Sequence, residues 1–308
     1  MALTRNRVLL AKLEATYGTN SNPAGGDALK ISEIDVSPLE VDLVDRELIT
    51  PYFGNTQKVV SQRMVSVSFA VELAGSGAAG TPPAFGRILR ACGFSEAIVA
   101  GTSVTYTPVS SGFESVSMDF RADGVRHIVT GARGTLSIEA ETGAIPKLQF
   151  EMMGLYNDPT DAALPAVSFA DQADPLVINA ENTLDVLVHG YAGCLQSLSL
   201  DVANEVVYRQ LAGCSRQVIL TDRKPEGSVS IEAPSIASKD YFAAVSSQAL
   251  GAISFVHGTT AGNIATFSAP SCNLGSPAYG DSDGVILLDL PFMPNPINGN
   301  DEFTLEFT

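Results

Sequence analysis

Apolar and polar residues alternate along much of the chain. Val65, Val67, Phe69, Val71 and Leu73 are interleaved with Ser66, Ser68, Ala70 and Glu72. A period of two sends the first set to one face of a strand and the second to the other, as a half-buried antiparallel strand requires. The alternation returns at Leu136, Ile138 and Ala140, at Leu148, Phe150 and Met152, and at Leu198, Leu200 and Val202. It returns again at Val229, Ile231 and Ala233, and at Phe303, Leu305 and Phe307. Turn residues punctuate these runs, among them Thr142-Gly143 and Asn298-Gly299-Asn300-Asp301. The second turn predicts a hairpin between the apolar run 285–290 and the C-terminal strand.

Two internal stretches carry helical spacing. In 83–92, Phe85, Ile88, Leu89 and Cys92 share one face, with Pro82 and Pro83 near the start and Gly93 behind. In 238–250, Tyr241, Phe242, Val245 and Ala249 share a face, with Gly251 behind. Residues 7–16 fit a short helix or a strand.

The two halves resemble each other. Residues 65–69 match 227–231 at an interval of 162, and 34–36 match 200–202 at an interval of 166. Both of the earlier segments lead through an acidic and apolar stretch to an arginine, Arg46 or Arg209. Each half has one short helix and closes on paired strands. This order predicts an all-β chain of two tandem β-sandwich or split-barrel domains, 31–160 and 176–308. An N-terminal arm, 1–30, precedes them, and a linker, 161–175, lies in an Asp-, Pro- and Ala-rich stretch.

The 308 residues, 45% hydrophobic and 17% charged, suffice for a core without staples and argue against disorder. The net charge of −16 argues against a protein that grips nucleic acid through its phosphates. It suits a surface that nucleic acid passes without sticking. Residues 1–30 run against this trend: Arg5, Arg7, Lys12 and Lys30 outnumber Glu14 and Asp27. Cys92, Cys194, Cys214 and Cys272 lack metal-like spacing and read as scattered thiols, with one long-range disulfide as the alternative. Lys12 and Glu14 interrupt the first apolar run, so it reads as neither a signal peptide nor a membrane span.

Motifs for chemistry are missing from the sequence. His127, His189 and His257 stand apart from one another and from cysteine. Asp281-Ser282-Asp283-Gly284 has Val285 and Ile286 where a calcium loop needs an oxygen ligand and glycine. The glycine-rich run 75–80 meets prolines and no lysine, so it reads as a connector rather than a phosphate loop. No nucleophile elbow or zinc-protease motif occurs. The expectation is a non-enzyme with no catalytic, cofactor or metal residues. Contact residues are expected instead on the basic N-terminal segment, at Arg5, Arg7, Val8, Leu9, Leu10 and Leu13. A second set is expected on the loop 50–63, at Tyr52, Phe53 and Arg63. The competing reading has the first segment covering its own domain and the loop aromatics tucked into their own core.

The run Arg7-Val8-Leu9-Leu10-Ala11-Lys12-Leu13-Glu14-Ala15-Thr16-Tyr17-Gly18-Thr19 resembles the start of tail tube proteins from non-contractile, long-tailed phages, in particular Mu-like siphophages. Glu40-Val41-Asp42-Leu43-Val44-Asp45-Arg46, leading into Pro51-Tyr52-Phe53-Gly54, adds to the likeness. It covers the first hundred residues best. The resemblance implies a β-sandwich or split barrel with a flanking helix, whose sheets join between subunits into an inner barrel. It implies rings stacked through loops and terminal arms into a hollow tube that conducts DNA during ejection, without specific binding. A two-domain member would form trimers with pseudo-sixfold symmetry. Its partners would be other copies and the tape-measure, terminator and distal tail proteins. It would assemble in the host cytoplasm and reside in the virion tail, with no cofactor and no membrane. Alternatives are another virion component, such as a terminator or capsid-stabilising protein, or a carbohydrate-binding β-sandwich. The lack of tryptophan weighs against the last.

Overall fold

The computed structural model describes Leu3 and residues 5–308. In the first half the elements are β1 (Arg7–Leu13), β2 (Ser32–Val44), β3 (Val59–Glu72), α1 (Gly86–Ala91), β4 (Phe94–Val99), β5 (Ser103–Pro108), β6 (Val116–Ala122), β7 (Gly124–Glu141), β8 (Lys147–Tyr156) and β9 (Thr160–Ala162). The second half has β10 (Thr183–Val188), β11 (Tyr191–Ala192), β12 (Leu195–Asp201), β13 (Asn204–Arg209), β14 (Gln217–Arg223), β15 (Glu226–Glu232), α2 (Tyr241–Ser246), β16 (Gly251–His257), β17 (Ala265–Leu274), β18 (Ala278–Ser282), β19 (Val285–Pro294) and β20 (Thr304–Phe307). Among the described residues the fold is all-β, as the alternation predicts, with two short α-helices.

One antiparallel run crosses both halves in the order β2-β3-β8-β7-β12-β15-β19-β18. It is an open sheet: among the described residues, β2 pairs only with β3, and β18 only with β19. Its spine is β7. One edge of β7 carries β6 and then β12, so the sheet passes between halves without a break. A second run, β4-β5-β20-β17-β16-β10, lies across the core. The alternating apolar residues of both runs fill one core, including Phe69, Phe150, Ile138, Leu200, Ile231, Leu290, Phe267 and Phe307. Phe303 bridges the halves, with ring centroids 5.7 Å from Phe94 and 6.2 Å from Phe267.

Several expectations change. The turn at 298–301 does not close a hairpin between β19 and the last strand. The Asp301 carboxylate accepts from the backbone N–H groups of Ile297 and Asn298 at 2.8 and 3.0 Å, and β20 leaves to pair with β17 and β5. Val36 lies opposite Val67 and Leu198 opposite Val229, so both pairs of matched strands differ by 162 residues, not 162 and 166. Helix α2 is shorter than its pattern. Asp240 caps its start, accepting from the Ala243 N–H at 2.8 Å, and Gln248, at φ 55°, turns the chain soon after it ends.

The N-terminal segment forms β1, paired with β6 along its whole length. Leu9 enters the main core, while Leu10 packs with Val8 and Ala28 on the other side. Val8, Leu9 and Leu10 are therefore buried in their own chain and are not free to dock on a neighbour, which corrects the arm expected there. Apolar burial on both faces of one strand is the physical reason.

Two of the three histidines, His189 and His257, are hydrogen-bonded within the fold. His257 donates from Nε2 to the Leu176 carbonyl at 3.2 Å and meets Thr183 Oγ1 at 2.9 Å through Nδ1. His189 donates to the Cys272 carbonyl at 3.1 Å. Burial holds both below the ordinary imidazole pKa. The unfolded chain then binds protons that the folded chain refuses, so their contribution is complete above about pH 6.5 and is lost as pH falls through and below it. The urea midpoint is expected to be lower at pH 5.5 than at pH 7.5. The double variant His189→Gln/His257→Gln should flatten that dependence; an unchanged slope would refute the assignment.

Candidate functional site: the acidic face of the long sheet

The polar positions of the alternating strands converge on one face of the eight-stranded run. On β8, Leu148, Phe150 and Met152 are buried, while Lys147, Gln149, Glu151 and Met153 face away from the core. The same phase holds in the neighbours through their register. Glu151 lies between Ser68 and Thr135, Glu139 between Lys147 and Ser199, and Ser230 between Ser197 and Asp289. The face carries Asp35, Glu72, Glu139, Glu141, Glu151, Asp201, Glu226, Glu232 and Asp289.

Charges of one sign directly opposite each other destabilise a sheet. Among these carboxylates only Asp201 and Glu226 stand directly opposite one another. Serines separate most of the others across the ladders. Two basic side chains belong to this face. Lys147 gives its ammonium to Glu33. Arg133 turns away, donating to the carbonyls of Phe113, Glu114 and Val218 at 2.6, 2.9 and 2.8 Å and lying 4.8 Å over the Tyr17 ring. The result is a broad negative surface. It repels polyanions and has no cationic cluster to hold a phosphate.

A second feature is the contrast between two hairpins. The β13–β14 hairpin folds back over β7 and β8. Asn204 Nδ2 donates to the carbonyls of Cys92 and Gly134 at 2.7 and 3.1 Å, and the Tyr208 hydroxyl donates to that of Arg63 at 3.0 Å. The backbone turns at Ala203, whose φ is 48°, just before this hairpin begins. The β2–β3 hairpin stays extended, and its tip meets no such cover. Leu43, Val44, Leu48, Ile49, Val59 and Val60 are all exposed there.

Of the expected contact residues, Tyr52 and Phe53 lie on that tip, 73% and 108% exposed, so they do not tuck into their own core. Arg63 is exposed at the base of the same hairpin. Arg5, just before β1, and Arg7, its first residue, are exposed, and Leu13 is half-buried against the core. The structure does not bring the N-terminal residues and the loop aromatics into one patch.

Two residues with decisive contacts, Glu14 and Tyr17, carry no expected role in the sequence. Glu14 accepts four hydrogen bonds, from Gly18 N–H and Ser115 Oγ at 2.7 Å and from Ser117 Oγ and Gly131 N–H at 2.8 Å. Tyr17 accepts the Val218 N–H at 2.5 Å, pinning the folded-back hairpin. Burial raises the pKa of its phenol above the ordinary value. Both lie in the Lys-x-Glu-x-Thr-Tyr-Gly-Thr string, which was their only signal.

Among the described residues no three His, Cys, Asp or Glu side chains are placed to hold a metal ion, and the four cysteines are free thiols. Cys92 and Cys272 are buried, and burial pushes the Cys272 thiol up to about 12. The Asp283-Gly284 pair is the tight turn between β18 and β19, both residues at positive φ. Among the described residues no helix is long and apolar enough to cross a membrane.

A family model described as phage tail tube protein matches residues 4–294. The chain belongs to the phage tail tube protein family. No curated protein matches it. Membership makes it a component of a phage tail, in a family of structural and non-enzymatic proteins.

Proposed function

We propose that this chain is the major tube subunit of a long non-contractile tail of the Mu-like siphovirus type. Copies join edge to edge, β18 of one against β2 of the next, and the acidic face lines the lumen. The carrying observation is the eight-stranded sheet itself, with both edges open and one face acidic. Its two quartets, β2-β3-β8-β7 and β12-β15-β19-β18, follow the same order and support tandem domains joined near 161–175. The chain already makes such a junction internally, where Glu139 of β7 faces Ser199 of β12. The counterparts of these residues are Ser282 and Ser37, which the next junction would place opposite each other.

Two similar domains per chain favour a trimeric ring. Three copies of eight strands would close 24 strands into a barrel roughly 48 Å across at the backbone, from a spacing of about 4.8 Å and a tilt near 40°. Such a barrel leaves an open lumen through which DNA slides without specific contacts. Stacked rings would then meet the tape-measure, terminator and distal tail proteins at the tube's interior and ends, after assembly in the host cytoplasm.

Negative-stain microscopy of the concentrated protein, with a mass measurement, tests this reading. Hollow tubes or three-chain rings are expected; a monomer that persists at high concentration would refute it. A further expectation concerns the lumen. The triple variant Glu139→Lys/Glu151→Lys/Asp201→Lys should still form tubes, but they should retain duplex DNA at low salt and release it at high salt. Retention no greater than that of the unaltered tube would sink the lumenal assignment of this face.

A further inference from the structure

We propose that the extended β2–β3 hairpin docks on the second half of a neighbouring copy within the ring, as the β13–β14 hairpin docks on the first half of its own chain. The inference rests on the edge-to-edge reading above and adds a partner surface to it.

The two hairpins are counterparts by length and by position. From Asp35 to Ser68 the chain leaves the sheet and returns after 33 residues, and from Ser197 to Ser230 it does the same. One of them has a docking surface inside the chain. Val206 of β13 and Met153 of β8 line the same groove, of about 460 Å³.

The strand that mirrors β8 is β19. Phe150 lies opposite Phe69 and Leu288 opposite Ile231, an interval of 138 residues. A hydrogen bond repeats at the same interval. Asn157 Nδ2 donates to the Leu155 carbonyl at 3.2 Å, and Asn295 Nδ2 to the Met293 carbonyl at 3.1 Å. The counterparts of Met153 and Leu155 are therefore Pro291 and Met293. Met153 and Leu155 are half-buried, whereas Pro291 and Met293 are exposed. The acceptor surface is bare in the second half, and the hairpin that would cover it is bare in the first.

The hairpin emerges from β2, the strand proposed to pair with β18 of the next copy, so it leaves the sheet over that copy's β18–β19. A second copy of the chain is thus the occupant. Val44, the counterpart of Val206 at an interval of 162, would lie near Pro291 of the neighbour.

Paired cysteines test this in the assembled full-length protein. The background is Cys194→Ser/Cys214→Ser, which removes the two exposed thiols. Val44→Cys/Pro291→Cys in that background should pass from almost no covalent product to a majority of chains linked to other chains on oxidation of tubes. A parallel pair, Ser37→Cys/Ser282→Cys, reports the sheet junction. Linking of the second pair without the first overturns the hairpin inference alone. Failure of both pairs in well-formed tubes overturns the edge-to-edge reading and the inference with it, as does the absence of tubes in the background protein.

Discussion

Replacing Arg223 by alanine is expected to lower the unfolding free energy of the unassembled chain by about 3–5 kcal/mol. Arg223 donates from Nε and Nη2 to Glu302 Oε1 at 3.0 and 2.5 Å, and from Nη1 to the Val109 carbonyl at 3.0 Å. The two side chains are only 11% and 8% exposed. The other oxygen of Glu302 is buried with no hydrogen-bond partner, so the carboxylate depends on the guanidinium almost entirely. Removing the arginine strands a buried negative charge, and that penalty exceeds the value of the pair itself. The double variant Arg223→Met/Glu302→Leu should recover most of the loss, since apolar groups of similar volume need no counter-charge. Urea unfolding measures both. A single variant within about 0.5 kcal/mol of the parent would show that water reaches Glu302.

The second large effect is expected at Glu14. Alanine there removes the acceptor of two backbone N–H groups and two hydroxyls, drawn from residues 18, 115, 117 and 131. Each of the four orphaned donors costs on the order of 1 kcal/mol where water can partly replace the carboxylate, so the sum is about 4 kcal/mol. Glu14→Gln keeps one carbonyl acceptor and should lose about half as much. Hydrogen exchange gives a local readout. The amides of Gly18 and Gly131 should exchange faster in Glu14→Ala, relative to the core amides of β8. Unchanged protection at Gly131 would mean that its N–H finds another acceptor.

Strand positions and turns were legible in the sequence because most strands have one wet face. The β1 strand was not, because Leu9 and Leu10 are buried on opposite sides and the period of two disappears. The partner of β20 was hidden for a different reason. A turn sequence specifies a change of direction, but the edge on which a strand lands depends on the whole sheet. The 166-residue match of 34–36 to 200–202 was a local coincidence of Asp between apolar residues; ladder register corrects it by four.

The candidate site was legible only in part. Serine alternating with valine announced a hydrated face on β3 and β15. That carboxylates from seven strands share this face follows from the β7–β12 junction, which no local pattern encodes. The exposure of Tyr52 and Phe53 was one of two readings that their loop left open, and only the folded chain decides between them. The contrast between the hairpins coincides with Ala203, whose positive φ has no equivalent at Val41, the matching position of the first hairpin.

The central claim is that copies join through β2 and β18 with the acidic face inward. A high-resolution reconstruction of the assembled tube in cross-section tests it most directly. The prediction is three chains per ring, 24 strands in an unbroken inner barrel, and Glu139, Glu151 and Asp201 lining the lumen. Six chains per ring, or a tube with those carboxylates on its outer wall, would contradict it.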